Sequence, residues 1–169
     1  LQLKISRRIF IVLIAVVSDT HGDVSYIEKA LRKIDRAKAH MIIHLGDYTR
    51  DAEYMQRRFN GRVIYVKGNC DFGSDAKTEL LENIEGKNLF ITHGHKYDVK
   101  YSLTRLMFKA EEVNADLVLF GHTHIAMVEQ VKDKWFINPG SASEARVDSE
   151  SIAFITLNNN KIEVEIEEI

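Results

Sequence analysis

Residues 116–125 read DLVLFGHTHI, an apolar run that breaks off at a glycine and two imidazoles, His122 and His124, spaced one residue apart. The run is short and apolar on both faces, which is the signature of a strand covered on both sides. The same unit recurs along the chain. IFIVLIAVV (9–17) is followed by SDTHGD, MIIH (41–44) by LGDY, RVIYV (62–66) by KGNCD, and NLFI (88–91) by THGH. Five buried strands are therefore expected, each ending in a polar cluster. A lone histidine at a strand end is ordinarily a solvated or hydrogen-bonded side chain. In extended backbone a pair at i and i+2 faces one side, so His122 and His124 are expected to turn toward a shared ligand and to need partners from elsewhere.

Helical patterns separate several of the runs. Ile27, Ala30, Leu31, Ile34 and Ala37 share one face of a helix over 25–39, with Ser25 and Glu28 as a capping box. Ala52, Met55 and Phe59 mark a second helix over 50–59, with Gly61 as its stop, and Leu103, Leu106, Met107 and Ala110 a third over 98–113. Turns at EGK (85–87), KDK (132–134) and NNNK (158–161) predict hairpins, the last leading into Ile162, Val164 and Ile166 alternating with glutamates. Strands alternating with helices and then hairpins indicate an α/β protein with helices outside a buried sheet system; periodicity alone fits either a two-sheet sandwich or a single doubly wound sheet.

Composition narrows the function classes. The chain has 169 residues, 45% hydrophobic and 28% charged, with 23 Lys and Arg against 25 Asp and Glu. Without a basic excess or a clustered basic face, binding driven by nucleic-acid phosphates is disfavoured. Cys70 is the only cysteine, which excludes an intrachain disulfide and points to a reducing, cytoplasmic setting. The basic residues ahead of the first apolar run resemble a short secretory leader, but Asp19 and His21 follow where a small-residue cleavage site would stand. We read a single domain over 9–169 with residues 1–8 as an N-terminal extension, and no membrane span, since the run is too short.

Six of the seven histidines, His21, His44, His93, His95, His122 and His124, lie at carboxyl ends of the apolar runs, where α/β folds collect ligands. Pooling those ends gives Asp19, His21, Asp47, Asn69, His93, His122 and His124, too many donors for one tetrahedral ion. They suit two divalent ions of higher coordination. Nitrogen and oxygen donors without thiolate favour manganese, iron, cobalt, nickel or zinc over calcium and magnesium. Two dications against two carboxylates leave a positive excess, so an anionic substrate, with phosphoryl oxygens the natural guest, is expected. Asn138, Gly140, Ser141 and Arg146, in NPGSASEAR, form a second candidate element, a turn offering N–H groups to an anion beside a guanidinium. Trp135 and Phe136 read as hairpin packing.

DTH, GD, GNCD, HGH and GHTH, in this order, resemble the signature of calcineurin-like metallophosphoesterases across about residues 10–165. INPGS is similar to the small prokaryotic phosphodiesterase branch, to which a eukaryotic retromer scaffold subunit is also related. The resemblance implies a two-sheet β-sandwich flanked by helices and a metal-dependent hydrolase, most simply a phosphodiesterase in which a metal-held hydroxide attacks a small phosphate ester. It places Asp19, His21 and His124 on one ion and Asn69, His93 and His122 on the other, with Asp47 bridging; manganese is the first choice of metal. His44 and His95 then stand behind the ligands or on the substrate side. Many relatives carry His after the Asn of GNCD, where it is proposed to protonate the leaving group. Here Cys70 stands instead and is expected to be a packing residue, which leaves Asp71, His95 or water as acid. The alternative is a metal-binding interaction module with little or no hydrolysis. A homo-oligomer is compatible with either.

Overall fold

Alternation within one strand sets the architecture. In β1 (Ile11–Val17), Ile14 and Val16 enter one apolar cluster while Ala15 and Val17 enter another, so both faces are covered but by different layers. The first cluster lies between two sheets. β1 pairs in parallel with β2 (Met41–His44), which pairs in parallel with β3 (Arg62–Tyr65). The second sheet contains β4 (Glu79–Ile84), β5 (Lys87–Thr92), β6 (Leu117–Leu119), β7 (Ala126–Val131) and β8 (Lys134–Pro139) in the order β4-β5-β6-β8-β7. The chain then returns to the first sheet through β9 (Ser151–Asn158) and β10 (Lys161–Glu168), giving the order β10-β9-β1-β2-β3. The structure is a computed structural model and describes residues 11–158 and 161–169.

Leu89, Ile91, Leu117, Leu119 and Ile137 from one sheet meet Ile14, Val16, Ile43 and Ile155 from the other. Helices α1 (Val24–Ala37) and α2 (Thr49–Arg58) cover the outer face of the first sheet, where Ile27, Leu31, Ile34 and Met55 pack on Ala15, Val17 and Ile42. Helix α3 (Thr104–Glu112) covers the second through Leu106 and Ala110 against Phe90, Val118, Phe120 and Phe136. The expected two-sheet sandwich with helical outer layers is thus the fold, with the carboxyl ends of β1, β2, β3, β5 and β6 brought to a common rim.

Local readings need four corrections. α1 is capped by Asp23, whose carboxylate accepts the Ser25 and Tyr26 N–H groups at 3.0 and 3.2 Å, and not by a box of Ser25 and Glu28. An ionised oxygen two residues upstream outcompetes the hydroxyl, and Glu28 instead accepts from Tyr54 at 2.6 Å. α3 starts at Thr104 rather than 98, because Gly94 and Asp98 take left-handed backbone around a single 3-10 turn, His95–Tyr97. Gly61 is no left-handed stop; a Cβ there would lie 2.4 Å from Phe59, so close packing is what requires it. β6 spans three residues, leaving Asp116 and Phe120 outside it. The hairpins form at 85–87 and 132–134. Strands pair on either side of the third, from Asn158 opposite Lys161, while Asn159, Asn160, Ile9 and the expected extension 1–8 lie outside the described residues.

Candidate metal centre

The donors after β1, β2 and β6 sit in loops that turn left-handed, whereas Asn69 and His93 do not. Asp19, His21, Asp47, His122 and His124 all have positive φ, between 44° and 70°. Such backbone is uncommon for residues with a Cβ and is held by its surroundings. Ser141 donates to the Asp19 carbonyl at 2.7 Å and Ser143 to the Thr20 carbonyl at 2.9 Å. The Asp19 N–H reaches Gly46 O at 3.1 Å, and the Gly121 N–H reaches His93 O at 3.1 Å. Crossing between sheets, the His122 N–H donates to Asp19 Oδ2 at 3.0 Å. Close approach of the loops rests on two glycines: a Cβ at Gly68 would sit 2.0 Å from Asp47 Oδ1, and one at Gly121 2.0 Å from Ser18 Oγ.

The two rings of GHTH do not act from extended backbone, as the spacing suggested. Left-handed turns at both residues send them to different neighbours. His124 Nε2 lies 3.2 Å from Asp19 Oδ1 and 3.3 Å from His21 Nε2, whereas His122 Nδ1 lies 3.1 Å from His93 Nε2. Donor atoms of Asp19, His21 and His124 gather in one group that could hold a metal ion; those of Asp47, His93 and His122 gather in a second, and Asp47 also groups with His21 and Cys70. Asn69 joins the second group, its Oδ1 3.1 Å from His93 Nε2.

Hydrogen bonding fixes where the lone pairs point. His93 Nδ1–H donates to Leu45 O at 2.9 Å and His124 Nδ1–H to Glu144 O at 2.8 Å. In the neutral ring each Nε2 would then carry the lone pair, and each faces acceptors: Asp47 Oδ2 at 3.4 Å and Asn69 Oδ1 for His93, and Asp19 Oδ1 for His124. Asp19 Oδ1 is itself buried without a hydrogen-bond partner. Lone pairs opposed to a buried, unpartnered carboxylate oxygen call for positive charge between them. The donor set fits divalent cations.

Protonation equilibria point the same way. Burial works against the charge of Asp19, but the adjoining His124 ring, the charge of His93 and the Ser18 hydroxyl hold its carboxyl below the usual range; Asp47 is depressed likewise, against burial, by His93 and the Cys70 N–H. Burial opposes the charging of His93, yet Asp47 and Asp19 raise its pKa, and the adjoining Asp19 carboxylate raises that of His124. His122 goes the other way, pushed down to about 4 by burial, His93 and Lys100.

The remaining sequence candidates separate by contact. Asp71 accepts the Tyr48 and Thr49 N–H groups on Oδ1 and the Gly68 N–H on Oδ2, tying the start of α2 to the loop after β3. The ring of His95 stands 5.4 Å from that of His93 and 6.1 Å from that of His122, and burial, then His93, lowers its pKa. His44 takes the Gly46 N–H on Nδ1, so its Nε2–H donates to Thr20, whose hydroxyl donates to Asp51 at 2.6 Å. Cys70 is exposed at the rim and not a packing residue; partial desolvation and the Asp47, Asp71 and Asp19 carboxylates push its thiol up to about 11. The 138–141 turn is no anion cradle. Gly140 N–H is spent on Asn138 Oδ1, and Asn138 and Ser141 brace Gly121, Thr123 and Asp19. Asp51, which sequence reasoning passed over, also receives the Gly22 N–H at 2.8 Å. Its only signal was an acidic residue in the first turn of a helix that directly follows a rim loop.

The profile of the calcineurin-like phosphoesterase superfamily domain matches residues 12–160. The chain belongs to that superfamily. Among its relatives, the probable metallophosphoesterase YsnB of Bacillus subtilis is 38% identical over 153 residues, covering 87% of this chain and 85% of that one. Phosphodiesterase MJ0936 of Methanocaldococcus jannaschii is 30% identical over 144 residues, covering 75% and 82%. A crystal structure of a conserved predicted phosphoesterase from Streptococcus pneumoniae TIGR4 superposes with a TM-score of 0.80 at 26% identity, over 94% of this chain and 90% of that one. Vps29 of Entamoeba histolytica shares the fold, with a TM-score of 0.71 at 20% identity over 93% and 99%. Superfamily membership implies divalent metals and places the chain among relatives named as phosphoesterases. Among the described residues no helix is long and apolar enough to cross a membrane.

Proposed function

We propose that the protein is a dinuclear metal-dependent phosphodiesterase acting on a small phosphate ester. The observation that carries this reading is the pair of adjoining donor groups, Asp19–His21–His124 and Asp47–His93–His122, with Asp47 also within reach of His21. Asp19, His21 and His124 would hold one ion, Asn69, His93 and His122 the other, and Asp47 would bridge. Two divalent cations, manganese first with iron, cobalt, nickel and zinc as alternatives, would supply Lewis-acid charge for phosphoryl oxygens and make water nucleophilic. A preference for diesters is supported by relatives named phosphodiesterases.

The chain's own groups shape the rest. Asp71, spent on three N–H donors, positions Tyr48 and the loop after β3 and does not serve as the acid. Burial and the charge of His93 keep the His95 ring neutral, so we place it on the substrate side as an acceptor. Cys70 holds its proton too tightly to donate it readily. None of the three supplies a well-matched acid, so the enzyme should favour leaving groups that depart without protonation. The exposed Cys70 equally suits a metal-binding interaction module that has lost turnover. Hydrolysis of bis(4-nitrophenyl) phosphate and 4-nitrophenyl phosphate by protein loaded with each metal decides the matter. Turnover of the diester that disappears in Asp47→Asn supports the enzyme, and inert metal-loaded protein overturns it. A cytoplasmic location belongs to the same reading, supported by the single cysteine.

A further inference from the structure

Two clefts include residues of the donor groups and a third borders the GHTH loop, and they differ in charge. The first, about 480 Å³ beside Tyr48 and Cys70, is lined by Arg50 against Glu53, Asp71 and Asp75. The second, beside His21, carries Asp23 and Glu144 and no cation. The third, about 370 Å³, is lined by Thr123, the residue between His122 and His124 in the chain, and by Lys100 and Arg146 with no carboxylate. Its walls are otherwise apolar, from Leu103, Phe120, Ile125 and Met127. Arg146 is tethered to the centre, its N–H donating to the His124 carbonyl at 3.2 Å. Among the described residues neither Lys100 nor Arg146 forms an ion pair, unlike Lys33, Arg58, Arg62 and Arg105.

A phosphoryl group at the centre would have ester arms that can extend toward these clefts. Two are negatively lined and repel an arm carrying charge of its own, while the third offers two unpaired cations above an apolar floor. A guanidinium presents a planar fork suited to an oxyanion, and an ammonium adds a movable point charge. Both side chains are exposed, so their pull on an anion is long-ranged and screened by salt. We infer that the Lys100–Arg146 cleft is a substrate subsite for an ester arm that bears a second oxyanion, carboxylate or phosphate, on a short apolar body. The inference rests on the phosphoesterase reading and goes beyond it by naming the substrate class: a phosphate ester with a further negative charge on one arm.

The experiment compares three diesters on metal-loaded protein: bis(4-nitrophenyl) phosphate, and analogues whose second arm is 4-carboxyphenyl or 4-phosphonophenyl. The expected result is a kcat/KM for at least one charged compound about tenfold above that of the uncharged one, with the ratio falling to about one in Lys100→Ala and Arg146→Ala and below one in Lys100→Glu. The advantage should also shrink as salt is raised. No preference for either charged compound, or a preference untouched by the three variants, overturns the subsite. Should none of the diesters be cleaved, the phosphoesterase reading fails, while the uncleaved compounds become ligands for calorimetry. Tighter binding of a charged compound, lost in the variants, then supports the subsite, and equal binding overturns it.

Discussion

The two sheets bring unlike chemistry to the same rim. Loops after β1, β2 and β3 deliver the oxygen donors, Asp19, Asp47 and Asn69, with His21 as their one ring, whereas loops after β5 and β6 deliver imidazoles alone, His93, His122 and His124. Neither half can build the centre. The groups Asp19–His21–His124 and Asp47–His93–His122 each mix the two sheets, so their spacing of carboxylate and ring is set by how the sandwich packs; only the grouping of Asp47 with His21 and Cys70 lies within one sheet.

The sharpest way to break this contrast is a cycle across the sheets. Asp47→Asn and His93→Asn should each lower kcat by at least about a hundredfold, and the double variant should be little worse than either, because both dismantle one unit. Losses that multiply in the double variant, measured with metal content, would mean the halves work independently. Next in size is Leu119→Ala, which opens the fully buried seam beneath the rim. It should cost roughly 2–5 kcal/mol in urea unfolding and also weaken metal binding by the folded protein; lost stability with unchanged affinity would separate packing from donor spacing.

Three smaller tests stay on one side. Asp51→Ala removes the anchor of Thr20 and Gly22, and metal affinity by calorimetry should fall about tenfold, in the range for groups that orient ligands indirectly. Cys70→Ser should leave kcat within about threefold. With its thiol held up to about 11, Cys70 in metal-stripped protein should react with iodoacetamide at pH 8 far more slowly than free cysteine. Fast alkylation would show that the carboxylates of the first sheet do not set the charge of the site.

Much of this organisation was legible in the chain. Runs apolar on both faces located the strands, and their polar endings located the donors, because burial and backbone geometry act residue by residue. The choice between sandwich and single sheet was not legible from periodicity, since a strand between helix and sheet shows the same two-sided burial as one between two helices; the family resemblance supplied it. The ring directions of His122 and His124 were missed because spacing assumed extended backbone where the loop turns left-handed. Cap and clamp roles of Asp23, Asp51 and Asp71 depend on which N–H groups the fold leaves unpaired, and a carboxylate in sequence does not announce its partner. A free cysteine is by type a packing residue, but the loop after β3 turns Cys70 outward.

The left-handed donors have a consequence for how such a chain tolerates change. Glycine would accept those backbone angles freely, yet glycine has no side chain to offer, so the positions that matter to the reaction are the ones least suited to their conformation. A chain released from selection for turnover has an easy route to greater robustness there. His122→Gly, at φ 70°, should raise the unfolding midpoint of the metal-free protein modestly, by an amount equivalent to about 1 kcal/mol, while abolishing hydrolysis.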